Sequence, residues 1–390
     1  MRIAVLAWES AHSIMVGGLA VVVSRQAEAL AKLGHDVHLF TRWGEGQSDS
    51  EYINGHYYHR CKFDQGQNLL AFAHNISKSF MKNLHEVEEA CGKFDIIHGH
   101  DWHVVDALHD LRSEGRVIVL TFHSTEYGRN GGRFGDWWEF KEVSGKEWYG
   151  GYIANRIITV SNAMKNELCW LYKIPPDKII IIPNAVDHKK FQVKVDPGRI
   201  KEKYGIHPLA PTVLFFGRIV NQKGPDLLVE AIPKILDNRL DTKFIFAGEG
   251  GMTQHLQSRV AELGVEWATR FLGWLPIPLL IELLNSVDIV CIPSRNEPFG
   301  VVLLEAWAAG RPVVATDVGG LGENIENFVD GVKVYPYPDS VAWGINYLLN
   351  NPDVMKQISE NGREKVERFS WMGVAEQLVK TYKLALEEKS

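Results

Sequence analysis

Glu297 and Glu305 stand eight residues apart, across a place where an apolar strand gives way to a helix. The strand reads Asp288-Ile289-Val290-Cys291-Ile292, Pro293 and Ser294 turn the chain, and Ala306-Trp307-Ala308-Ala309 runs on to a stop at Gly310. A helix over the whole interval would separate the carboxylates by about 12 Å. One could then reach a sugar while the other reaches the ribose of the same nucleotide-sugar. Between them, the amides of Phe299, Gly300 and Val301 at a helix N-terminus make an anion site suited to a diphosphate. A second group, Gly217-Arg218-Ile219-Val220-Asn221-Gln222-Lys223-Gly224-Pro225, follows the strand 212–216 and leads into a helix begun by Pro225. Arg218 and Lys223 thereby sit at the C-terminal end of a strand, where open α/β sheets bind ligands. Two cations there can neutralise charge on a departing diphosphate. Taken singly, each pattern also fits something plainer, a packed helix with surface glutamates or a solvated loop.

Together these residues resemble the donor site of retaining glycosyltransferases of family 4 and their glycogen and starch synthase relatives. The resemblance rests on Gly217-Arg218, Lys223-Gly224, Glu297-Pro298-Phe299-Gly300 and Glu305, and it extends over nearly the whole chain. It takes in Gly17-Gly18-Leu19, His100-Asp101-Trp102-His103, Thr121-Phe122-His123, Thr159-Val160-Ser161, Ile182-Pro183-Asn184-Ala185-Val186-Asp187 and Gly319-Gly320. It implies the GT-B fold: two Rossmann-like, doubly wound parallel-sheet α/β domains facing each other across a cleft that takes a nucleotide-sugar. It also implies a retaining transfer of a hexosyl unit, α-glucosyl by first expectation, from a nucleoside diphosphate sugar to an acceptor hydroxyl. An α-glucan or a small sugar is the expected acceptor.

On this reading Glu297 orients the sugar, Glu305 clamps the ribose, and Arg218 and Lys223 stabilise the leaving diphosphate. Gly17 and Gly18 let backbone approach the donor without a Cβ in the way. By the resemblance, His123 lies near the 6-hydroxyl of the reacting sugar, and Asp101 orients the acceptor or the sugar. Two positions depart from the glycogen synthase pattern: Met15 stands where those enzymes carry a lysine, and Glu305 is present where the bacterial ones usually lack it. No metal is expected, since the family uses none at the His98, His100 and His103 loop and the chain has no Asp-x-Asp motif; no other cofactor is implied. The same two-domain cleft would also serve a sugar phosphorylase, a nucleotide-sugar epimerase or a non-catalytic sugar-binding protein, because fold alone does not decide chemistry.

The elements that must position these residues follow from composition and rhythm. A chain of 390 residues, 45% apolar and 23% charged, has material for two cores. Short β-branched runs at 3–7, 36–40, 95–99, 117–122, 156–160 and 178–182 read as strands of one domain. Runs at 213–216, 243–247, 269–272, 288–292, 312–315 and 331–334 repeat the pattern in another. Helical stretches between them predict parallel sheets with covered faces. The expected division is an N-terminal, acceptor-side domain over 1–188, joined by the helix 371–390 crossing back, a linker over 189–211, and a nucleotide-sugar domain over 212–370.

A net charge of −6 offers no basic footprint for nucleic acid. Helically spaced Ala73, Ile76, Phe80, Leu84 and Val87 are expected to pack on the sheet, because Glu86, Glu88 and Glu89 offset Lys78 and Lys82. No membrane insertion is expected. Cys61, Cys91, Cys169 and Cys291 show no metal spacing and fit a reduced cytoplasmic protein; a homo-oligomer stays open.

Between residues 125 and 151 the βα rhythm breaks and the chain becomes rich in glycine and aromatics. Flat rings suit the apolar faces of sugars and glycine supplies the mobility that a closing loop needs, so the stretch is expected to be a mobile loop, with Trp137 and Trp138 as the acceptor contacts if the acceptor is a glucan. Arg129 and Arg133 are expected to serve instead if it carries a phosphate.

Overall fold

A computed structural model describes residues 1–388, which form two units. The first comprises Met1–Tyr127, Arg133–Ala185 and the C-terminal helix Trp371–Glu387. The second comprises Gly128–Gly132 and Val186–Ser370. The last two positions expected for the C-terminal helix, 389 and 390, lie outside the described residues.

The first unit is built on eight strands: β1 (Arg2–Leu6), β2 (Asp36–Arg42), β3 (Ser50–Ile53), β4 (His56–Cys61), β5 (Ile96–His100), β6 (Ile118–Phe122), β7 (Arg156–Thr159) and β8 (Ile179–Ile181). They lie in the order β3-β4-β2-β1-β5-β6-β7-β8, parallel except for the β3–β4 pair. β5 and β6 are buried along their whole length, as in a parallel sheet covered on both faces. The hairpin of β3 and β4 was not expected from the sequence. Its signal is Asn54-Gly55, both at positive φ (51° and 90°), which is what a tight hairpin turn between twisted strands requires.

The second unit carries β9 (Thr212–Phe216), β10 (Lys243–Ala247), β11 (Thr269–Gly273), β12 (Ile289–Ile292), β13 (Val313–Thr316) and β14 (Val332–Val334). All are parallel, in the order β11-β10-β9-β12-β13-β14. This is the Rossmann order, in which the winding reverses between the first and fourth strands. Here that switch point falls between β9 and β12. The same reversal falls between β1 and β5 in the first unit. The positions of Arg218, Lys223 and Glu297 just after β9 and β12 are therefore a consequence of topology.

Two expectations need correction. The stretch 189–211 is not a free linker but part of the second unit. Phe191 and Ile200 are buried, and Lys201 Nζ lies 2.9 Å from both Asp288 Oδ2 and the Ala210 carbonyl. Its buried apolar residues, Phe191, Ile200, Ile206 and Ala210, are too sparse among polar neighbours to announce themselves. The stretch 125–151 is not an irregular loop: a turn of helix covers Glu126–Arg129 and a regular helix covers Trp138–Ile153. The helix Leu69–Cys91, by contrast, buries Ala73, Ile76, Phe80 and Leu84 in the first unit as expected. Among the described residues no helix is long and apolar enough to cross a membrane.

Candidate functional site

Three strand-end loops of the second unit converge on Glu297. From the loop after β9, Lys223 Nζ reaches Glu297 Oε2 at 2.7 Å. From the turn after β12, the Ser294 hydroxyl donates to the same oxygen at 3.2 Å. From the loop after β13, the Gly320 amide donates to the Glu297 carbonyl at 2.8 Å. Glu297 is buried, with only 6% of its surface exposed. A carboxylate taken that far from water is costly unless paired, and Lys223 supplies the pairing. The two residues assigned to different tasks from the sequence thus form one ion pair.

The loops meet closely enough that glycine is required at the joints. A Cβ on Gly224, whose φ is +62°, would stand 2.1 Å from the Pro293 carbonyl oxygen. On Gly320 it would stand 2.4 Å from Phe299 Cα. The β9 and β12 loops are further stitched by Arg295, which forks onto both oxygens of Asp226 at 2.8 and 2.6 Å and donates to the Asn221 carbonyl at 3.0 Å. Gln222, buried between them, accepts from the Arg295 amide through its carbonyl and from Arg218 Nη2 at 3.1 Å through its side chain. Gln222, Ser294, Asp226 and Arg295 were all missed by sequence reasoning. Only their nearness to Arg218, Lys223 and Glu297 along the chain could have flagged them.

The helix expected to span both glutamates is shorter. It runs Val301–Ala308, with Gly300 at its N-cap in the left-handed region, so Glu297 lies ahead of it in the loop. The separation of about 12 Å that eight helical residues would give therefore does not apply; only Glu305 rides on the helix. At the helix start, no acceptor among the described residues reaches the amides of Phe299, Gly300 or Val301. Those three N–H groups, with the partial positive charge of the helix end, are placed for an anion. Glu305 is half-buried and its carboxylate has no hydrogen-bond partner among the described residues. Burial pushes its pKa up to about 7.

That shift has a sign. The Glu305 carboxyl is mostly neutral below pH 7 and ionised above, whereas hydroxyl donors such as a ribose diol favour the ionised form. Binding of a nucleoside diphosphate near pH 6.5 should therefore release protons from the wild-type protein and release fewer from Glu305→Gln. Calorimetry in buffers of different ionisation enthalpy reads this directly. Equal proton release by both proteins would remove Glu305 from the nucleotide site.

In the first unit, the loop after β1 carries Gly17 and Gly18, the latter opening the helix Gly18–Lys32. The Gly17 amide is already taken. Glu9 Oε2 accepts from Val16 at 2.6 Å and from Gly17 at 2.8 Å, so a buried carboxylate already holds the backbone that was expected to approach the donor. Gly18 remains open, with no heavy atom within 4 Å of where a Cβ would be. Asp101 follows β5 with φ +57° and ψ −177°, a region costly for any residue but glycine. The strain sets Asp101 Oδ1 2.8 Å from the His123 amide, so β5 and β6 bring these two predicted residues together. His123 Nε2 lies 2.9 Å from His100 Nδ1.

The proposed acceptor residues are not gathered in one unit. Trp137 and Trp138 are exposed (44% and 54%) and belong with Arg133 to the first unit, whereas Arg129 falls in Gly128–Gly132, grouped with the second. Trp137 packs edge-on to Phe140, ring centroids 5.3 Å apart. Among the described residues no cluster of three histidine, cysteine or acidic side chains is placed to hold a metal.

Comparisons with known proteins match nearly the whole chain. The family model described as glycosyl transferases group 1 matches residues 197–365, and that described as glycosyltransferase family 4 matches residues 16–190. An uncharacterized glycosyltransferase of Methanocaldococcus jannaschii is 37% identical over 395 residues, covering 99% of each chain. A glycogen synthase of Mycobacterium tuberculosis is 28% identical, covering 98% of this chain and 94% of its own. Among solved structures, a sucrose-phosphate synthase from Thermosynechococcus elongatus superimposes with a TM-score of 0.83 at 21% identity, covering 99% of each chain.

Proposed function

The chain belongs to the family 4 glycosyltransferases and has their GT-B fold, and we propose that it is a retaining hexosyltransferase using a nucleoside diphosphate sugar. The observation that carries this reading is the Lys223–Glu297 pair, 2.7 Å long, at the β9/β12 switch point beside three unengaged amides. An anion arriving there meets Lys223, Arg218 and the amides of Phe299–Val301 together. Glu297, held by Ser294 and Gly320, is the carboxylate that orients the sugar hydroxyls, and Glu305 takes the ribose diol. The transferred unit is proposed to be α-glucosyl, in keeping with the similarity to a glycogen synthase.

In the transfer, the bond from the anomeric carbon to the diphosphate oxygen breaks while the acceptor oxygen bonds to that carbon from the same face. The acceptor proton goes to the departing phosphate oxygen. Charge grows on the diphosphate as the bond breaks, and preorganised cations are worth most at that moment. His123 and Asp101 hold the sugar or the acceptor. A thermal-shift screen of nucleotide-sugars, followed by an acceptor screen with the stabilising donor, tests the assignment. Acceptor-dependent release of nucleoside diphosphate is the expected result. Turnover requiring inorganic phosphate, or turnover of the donor with no acceptor, would replace this reading with a phosphorylase or an epimerase.

Two further outcomes are expected. Because Arg218 and Lys223 supply the positive charge at the leaving group, transfer should survive excess EDTA; a loss restored by Mg²⁺ or Mn²⁺ would contradict that division of labour. For a glucan acceptor, Trp137→Ala and Trp138→Ala should raise the acceptor KM much more than the donor KM. For a sugar phosphate, Arg129→Ala and Arg133→Ala should do so instead, since guanidinium forks bind phosphate in pairs of bonds. An unchanged acceptor KM in all four variants would move the acceptor elsewhere.

A further inference from the structure

A buried row of histidines stands behind His123. His98 and His100 alternate on one face of β5, and Thr121 and His123 lie beside them on and just beyond β6, whose register pairs His100 with Thr121. His98 is held at both ring nitrogens, by the Tyr382 hydroxyl at 2.8 Å and the Thr121 hydroxyl at 2.7 Å. Its ring packs on that of His100 with centroids 4.3 Å apart. His100 is fully buried; its Nδ1 lies 2.9 Å from His123 Nε2, and its Nε2 has no hydrogen-bond partner among the described residues. Burial holds the pKa of His98, His100 and His123 below the usual histidine range, so the row is neutral at pH 7.

A neutral histidine has one N–H, and the placement of these hydrogens is constrained. If His100 carried its hydrogen on Nε2, a buried N–H would be orphaned, the costlier kind of unsatisfied group. Two lone pairs would also face each other between His100 and His123 unless His123 donated inward. With the hydrogen on Nδ1, His100 donates to His123 Nε2, and only a lone pair is left unmet. His123 must then carry its own hydrogen on Nδ1. That atom has no hydrogen-bond partner among the described residues, and His123 is only partly buried.

We propose that His100 is a positioning residue that fixes His123 as the Nδ1–H tautomer, so that His123 offers a hydrogen-bond donor, not an acceptor, to a hydroxyl oxygen of the bound sugar or acceptor. Free histidine favours the opposite, Nε2–H form, so the surroundings of His100 do the selecting. The placement of His123 beside a sugar rests on the glycosyltransferase reading; its tautomer does not.

The test is a long-range ¹H–¹⁵N correlation spectrum of protein labelled at histidine, with His123 assigned by comparison with His123→Asn. The wild-type protein should show a protonated Nδ1 and a bare Nε2 on His123 at pH 7.5. His100→Phe should shift His123 toward the Nε2–H form, and His100→Asn, whose amide nitrogen can sit near the old Nδ1, should restore it. In transfer assays His100→Phe should lower kcat about three- to tenfold, the worth of one oriented neutral hydrogen bond, with donor KM little changed and recovery in His100→Asn. An Nε2–H His123 in the wild-type spectrum would overturn the proposal even if every variant folded poorly. So would a His123 signature unmoved by His100→Phe. If the spectra agree and no transfer is found with any donor, it is the enzymatic reading that fails, not the tautomer assignment.

Discussion

Lys223→Ala should lower turnover on the order of 10²-fold or more, and Arg218→Ala should do the same, as loss of a preorganised contact to developing charge does elsewhere. The two losses have different routes. Arg218 is exposed and donates to Gln222, so its removal subtracts positive charge at the strand end. Lys223 is paired with buried Glu297, and its removal leaves a carboxylate without its partner, which disfavours both the fold and the approach of a diphosphate. Lys223→Ala should therefore melt at a lower temperature than Arg218→Ala, and adding Glu297→Gln to it should recover melting temperature but not activity. A folded Lys223→Ala or Arg218→Ala enzyme with near wild-type turnover would take that residue out of the mechanism.

Glu297→Gln and Glu297→Ala should depress transfer by a similar factor, on the order of 10²-fold, or about 2.7 kcal/mol of barrier, while leaving nucleotide binding intact. The ion pair sharpens the expectation. With Glu297 gone, Lys223 has no carboxylate to compete with an incoming diphosphate, so affinity for the free nucleoside diphosphate should hold or rise. Glu305→Ala should act oppositely, weakening the free nucleotide and the donor together. Calorimetry on the two variants distinguishes the roles; the reverse pattern would mean that the sugar lies by Glu305 and the ribose by Glu297.

The parallel strands were legible because a strand covered on both faces is almost wholly apolar, and β6, β9 and β12 read that way. The loops after β9 and β12 were legible because each begins where such a run stops, at Gly217 and at Pro293. What failed to show was whatever depends on residues far apart in sequence. Lys223 and Glu297 are 74 positions apart, and nothing in either segment announces the ion pair. Glu9 looks like any loop glutamate until the chain folds its carboxylate onto the Val16 and Gly17 amides.

The glycines of 125–151 misled for a different reason. A Cβ on Gly150 would meet Leu120 and Val105 side chains at 2.8 Å, and one on Gly151 would meet Ile174 at 2.5 Å. These glycines let a helix lie close on its neighbours; they do not loosen a loop. Exposed Trp138, Trp148 and Tyr152 on the same helix further blurred its apolar face. In the first unit the His98–His100–His123 row was visible only as a spacing, because which nitrogen meets which is fixed by the β5–β6 register.

Retaining transfer from a nucleoside diphosphate hexose is read out by the stereochemistry of the first product. With an α-linked nucleotide-sugar and an acceptor, proton NMR at early times follows the anomeric signal of the new linkage. An α-linked product with the small anomeric coupling of an axial glycosidic bond, formed in step with release of nucleoside diphosphate, is the expected result. A β-linked first product would contradict it.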